Sequence, residues 1–185
     1  TSIAQESPLW MRHCALSPDG TTIAFTYKGD IYTVPSTGGR ATQITTNPAF
    51  DTEPVWSPDS KQIAFASDRM GSLDVFVVSS AGGRPAMFSS MPMECISINK
   101  EGVMLYQDKK GYEDYWRKHQ VSPIARDIWT YTPGKKPVYQ KQTTFGGEDR
   151  EPVWSPDGKS FYYLSEEKGS FNIFQRTPGT TTSQQ

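Results

Sequence analysis

Residues 53–60 read EPVWSPDS, and residues 151–158 read EPVWSPDG. The phrase EPVWSP therefore occurs twice, 98 positions apart (53 to 151). It is either a site used twice or one part of a repeated structural unit. Aligning on the serine decides between these. Ser17 opens SPDGTTIAF, Ser57 opens SPDSKQIAF and Ser155 opens SPDGKSFYY. The first step is 40 residues (17 to 57), and another step of 40 reaches Ser97, which opens the weaker copy SINKEGVML. The last step, from Ser97 to Ser155, is 58, so the third unit carries an insertion.

The other parts recur in the same order. A polar turn follows each IAF-like run: TYKGD at 26–30, SDRMGSLD at 67–74 and SEEKGSFN at 165–172. Strand phrases come next: DIYTV at 30–34, DVFVV at 74–78, DIWTY at 127–131 and NIFQR at 172–176. Glycine turns (TGGR at 37–40, AGGR at 81–84, PGKK at 133–136) lead to a short β-leaning run and an acidic approach to the next copy. Ser-Pro-Asp-Gly suits a tight turn, because Pro presets φ, Asp bonds its own backbone and Gly accepts φ > 0. Ile23 and Phe25, Ile63 and Phe65, and Phe161 and Tyr163 follow a period of two, as strands require. No segment keeps a helical period.

Each unit thus reads as four short strands with three turns. Four-stranded units repeating at ~40 residues are the mark of β-propeller blades. The expected fold is an all-β propeller of four-stranded antiparallel blades in one domain over 1–185. Its blades fall near 10–50, 51–90, 91–146 and 147–178, with a tail at 179–185. Trp56 and Trp154, with Leu16 and Ile96 at the matching positions, are expected to pack between blades.

The phrases at 56–65, 67–78, 81–84 and 154–163 resemble the TolB-type propeller repeat. The stretches at 8–46 and 111–129 resemble the N-terminal propeller of secreted, tricorn-like serine peptidases. That resemblance implies a periplasmic setting, with a peptidase core and a PDZ-like module beyond the propeller; the small, polar TSIAQES opening reads either as the tail of a cleaved secretion signal or as an appended leader. The propellers of that family have more blades. The short junction at Ser89–Met91 reads as a blade missing between Phe88 and Met93. Four blades would make an open arc, a small ring or half of an assembly, and an open arc invites self-association.

Composition narrows the function. The net charge is −1, with no long run of one sign, which argues against a nucleic-acid partner. No apolar run approaches the roughly 18 residues of a membrane span. Two cysteines, Cys14 and Cys95, make no disulfide framework, and His13 and His119 have no metal-ligand spacing. There is no Gly-x-Ser-x-Gly elbow and no phosphate loop, so no catalytic, metal or cofactor residue is assigned.

The insertion is the local feature that points to contact. It is placed at Tyr112–Ile124, in the second turn of the third unit, where long loops on a rigid scaffold collect binding residues. Its Tyr112, Tyr115, Trp116, Arg117 and His119 are candidates to meet a polypeptide or protein partner. Equally, the loop folds back over a blade with Trp116 buried. Second turns and blade connectors share one face, so Glu53 and Glu151 join the candidates. The expected role is docking or gating of polypeptide substrate by a non-catalytic module, the alternative being a stand-alone TolB-like adaptor of the cell envelope.

Overall fold

A computed structural model describes residues 10–89, 91–108 and 125–185. Sixteen strands form four antiparallel four-stranded sheets, with no helix among the described residues. The first blade is β1 (Arg12–Leu16), β2 (Thr22–Tyr27), β3 (Asp30–Pro35) and β4 (Thr42–Gln43). The second is β5 (Asp51–Trp56), β6 (Gln62–Ser67), β7 (Asp74–Ser79) and β8 (Ala86–Ser89). The third is β9 (Met93–Ile98), β10 (Met104–Asp108), β11 (Ile128–Thr132) and β12 (Val138–Lys141). The fourth is β13 (Asp149–Trp154), β14 (Phe161–Ser165), β15 (Asn172–Arg176) and β16 (Ser183–Gln184). Every sheet is up-and-down, each strand pairing with the next in sequence. These are β-propeller blades, as the repeat implies. The chain divides into two compact units, residues 1–72 with 76–88, and residues 73–75 with 89–185.

The Ser-Pro-Asp phrases close the first hairpin of three blades. Ser17 Oγ donates to Asp19 Oδ1 at 2.6 Å and accepts from the Thr22 amide at 3.0 Å. Ser57 with Asp59, and Ser155 with Asp157, repeat the donation at 2.6 Å. Gly20 and Gly158 take φ of 74° and 71° at the end of the turn, and Ser60 is held at 59° in the same place. The serine hydroxyls, then the backbone amides two residues on, hold the three aspartates below the ordinary carboxylate range.

The third blade corrects the expected alignment. The Asn99 amide donates to Val103 O, as Ser17 does to Thr22 O and Ser57 to Gln62 O. Asn99, not Ser97, is therefore the turn residue, and the residue matching Trp56 is Ile98, not Ile96. The asparagine side chain replaces serine and aspartate together, its Oδ1 accepting from the amides of Glu101 and Val103.

In the first unit, β5 lies against β1, β2 and β3. Trp56, Ile63, Phe65, Phe76 and Val78 of blade 2 bury against Ala24, Ile31 and Ile44 of blade 1. Each fully buried isoleucine, valine or phenylalanine among them contributes roughly 1.5–3 kcal/mol. In the second unit, β13 lies against β9, β10 and β11. Phe161, Tyr163 and Phe174 of blade 4 bury there against Leu105 and Ile128 of blade 3. The tryptophans do the expected inter-blade work and add a polar lock. Trp56 Nε1 donates to Ala15 O at 2.9 Å, and Trp154 Nε1 to Val103 O at 3.2 Å.

Candidate functional site

The first strand of every blade breaks register at one place. In β5, Thr52 pairs with Ala66 and Val55 with Ala64, so Glu53 and Pro54 together oppose Phe65. The same two-against-one count sets His13 and Cys14 against Phe25, Cys95 and Ile96 against Tyr106, and Glu151 and Pro152 against Tyr163. The leading residue of each bulge is left-handed: φ is 50° at His13, 52° at Glu53, 51° at Cys95 and 52° at Glu151. A glycine would take this conformation freely, whereas a side chain costs about 1 kcal/mol there. Proline at the second bulge position of β5 and β13 fits, because an unpaired bulge residue has no ladder bond to give. EPVW is thus the bulge and the inter-blade tryptophan written side by side.

Glu53 is half-buried and Glu151 is exposed. In the second unit the bulge is tied to its neighbours by a polar network. The Glu151 amide donates to Gln107 Oε1 at 2.8 Å, and Gln107 Nε2 donates to Glu94 Oε2 at 3.1 Å. Arg126 reaches Glu94 Oε2 at 3.5 Å and forms a close ion pair with Glu148. Burial works against the Arg126 charge, but the Glu148 and Glu94 carboxylates prevail and hold its pKa above the ordinary value. Arg126 therefore fastens the strand β9 to the connector before β13. Connector and second turn do share an edge, as expected: Asp149 N donates to Arg126 O at 3.0 Å, and in the first unit Asp51 N donates to Gly29 O at 2.8 Å.

Two buried aspartates sit two residues ahead of the acidic bulges, and their surroundings differ. Asp51 has no exposed surface, and both its oxygens lie 2.9 Å from Arg69 Nη2. The Arg69 guanidinium also covers the Phe76 ring at 4.5 Å. Asp149 occupies the same register in blade 4, opposite Ser165 as Asp51 is opposite Ser67. Two residues beyond that serine stands Glu167 instead of arginine. Asp149 is 1% exposed, and neither carboxylate oxygen meets hydrogen-bond geometry among the described residues. Burial pushes its carboxyl up to about 6, against the pull of the nearby Ser165 and Thr143 hydroxyls.

Of the residues expected from the sequence to make contact, Glu53 belongs to the first unit and Glu151 to the second. Tyr112, Tyr115, Trp116, Arg117 and His119 lie outside the described residues. The insertion that carries them is bracketed by Asp108 and Asp127, 19 residues apart, against 7 between Ser165 and Asn172 in blade 4, so its excess is 12 residues rather than 13. Glu94, Gln107 and Arg126 went unnoticed in the sequence, where 32 residues separate the ion-paired Glu94 and Arg126. Among the described residues no three His, Cys, Asp or Glu side chains gather as a metal site.

Residues 8–94 match the tricorn protease N-terminal beta propeller domain. The uncharacterized peptidase YuxL of Bacillus subtilis (strain 168) is 24% identical over 77% of this chain. A TolB structure from Agrobacterium tumefaciens superposes on 96% of the chain with a TM-score of 0.78 and 19% identity. The puromycin-hydrolyzing peptidase of Mycobacterium tuberculosis superposes on 96% of the chain with a TM-score of 0.71 and 11% identity. The chain spans 27% of the length of YuxL, 62% of the TolB chain and 29% of the puromycin-hydrolyzing peptidase. The chain is therefore made of β-propeller blades, its residues 8–94 match the N-terminal propeller of tricorn protease, and its fold is similar to that of the TolB structure.

Proposed function

We propose that this chain is the non-catalytic propeller module of a tricorn-like serine peptidase of the periplasm, docking or gating polypeptide substrate through its acidic first strands. The observation that carries the reading is the left-handed bulge that leads with glutamate in blades 2 and 4. Glutamate gains nothing from that backbone, so a glutamate held there at a cost in stability favours a role for the side chain. Exposed Glu151 would meet the polypeptide, on a backbone fixed by Gln107 and, beyond it, by Glu94 and Arg126. An acidic surface of this kind suits extended segments that carry lysine or arginine.

The test is fluorescence anisotropy of a labelled, unstructured basic peptide titrated with the full chain. Saturable binding is expected, weakening severalfold in Glu53→Gln and Glu151→Gln and fading with added salt. Binding that ignores both substitutions would refute it. A gene that encodes no peptidase core, together with a stable envelope protein recovered on the chain, would make the protein a stand-alone adaptor instead.

A further inference from the structure

The first unit contains an open groove of about 890 Å³ that the first strands do not line. Ile44 and Phe76, both buried, make its floor, and the exposed Met70 and Met87 stand on its rim. Methionines adapt their shape to what they contact, and on a binding rim they tolerate varied apolar partners. Arg84 completes the lining, at the end of the AGGR turn. Two arginines and no carboxylate line the groove. Arg69 is already neutralised by Asp51, whereas exposed Arg84 makes no ion pair among the described residues. The strand β8, which follows Arg84, is the last of its sheet, so one of its backbone edges faces no neighbouring strand of that sheet.

We propose that this groove binds an extended, acidic stretch of another polypeptide. Apolar side chains of the ligand would rest on Ile44 and Phe76 between the two methionines. A ligand carboxylate would pair with Arg84, and the chain would run beside β8, where an open edge accepts an extended backbone. The uncompensated positive charge over an apolar floor selects this chemistry: a basic peptide meets repulsion, and a purely apolar one leaves Arg84 unanswered.

Two labelled peptides, one alternating Glu and Leu and the other Lys and Leu, test this by anisotropy against the full chain. The acidic peptide is expected to bind, and Arg84→Glu to weaken it about tenfold or more. Arg40→Glu, in the matching turn of blade 1 and outside the groove, should leave binding within about twofold, as should Glu151→Gln. That last control separates this groove from the acidic first strands, whose ligand has the opposite charge. Arg84 is exposed, so the variant is expected to keep the thermal midpoint of the parent chain. No saturable binding of the acidic peptide, an Arg84→Glu variant that binds it as before, a basic peptide that loses affinity alongside it in Arg84→Glu, or displacement of the acidic peptide by single-stranded DNA at lower concentration than by unlabelled peptide would each overturn the proposal.

Discussion

Replacing Asp149 with asparagine should stabilise the protein at neutral pH and do nothing in acid. The side chain is 1% exposed, and its pKa is raised from 3.8 to about 6, chiefly by burial. The rise from 3.8 to about 6 corresponds to about 3 kcal/mol against folding once the group is ionised in both states. The sign follows from linkage. The folded-state pKa lies above the unfolded one, so the native state binds the proton more tightly. Below the unfolded pKa the carboxyl is neutral in both states and carries no penalty. As pH rises through the folded pKa the native state must hold a buried carboxylate, and that stability is lost. The substituted asparagine stays neutral throughout, and its amide can donate toward the Ser165 and Thr143 hydroxyls. Urea midpoints followed by tryptophan fluorescence would read the difference. Asp149→Asn and the parent should coincide below about pH 4, then diverge to about 3 kcal/mol in favour of the variant above about pH 7. A difference that is flat with pH, or a variant less stable than the parent at neutral pH, would refute the reasoning.

Further substitutions probe the frame. Arg69→Met strands Asp51 without its partner and should cost about 3–5 kcal/mol at neutral pH; a loss under about 1 kcal/mol by denaturant titration would contradict it. Trp56→Phe removes the indole donor from Ala15 O and Trp154→Phe the donor from Val103 O, each at a cost of about 1–2 kcal/mol, and unchanged unfolding midpoints would show those bonds to be idle. At the bulge, Glu53→Gly should match or slightly exceed the parent in unfolding free energy while Glu53→Val falls below it by about 1–2 kcal/mol, read by denaturant titration. The reverse order would mean that φ at that position is not left-handed.

The sequence made the blade visible because its hairpins use residues with strong local preferences. Ser-Pro-Asp, the paired glycines of GGR and the tryptophans of EPVWSP have few alternative uses, and each sits where the repeat implies. The third blade was misplaced by two residues because Asn99 performs the work of a serine and an aspartate in a turn one residue shorter. The left-handed bulges were illegible, since histidine, glutamate and cysteine do not advertise φ > 0 as glycine does. Only the proline after each glutamate hinted at an unpaired backbone. The divergent fates of Asp51 and Asp149 depend on what stands two residues beyond the facing serine, Arg69 or Glu167, and a strand-pair register is needed before that comparison can be made. Arg126 escaped notice because its carboxylates come from another strand and another connector.

The central claim, that the chain holds polypeptide without cutting it, has one direct measurement. Unfolded casein labelled to self-quenching reports binding through polarisation and cleavage through a rise in intensity, within one sample. The predicted result is a saturable rise in polarisation with the wild-type chain, reduced in Glu151→Gln, at constant intensity. Rising intensity with the purified chain, or polarisation that never departs from that of free casein, would contradict it.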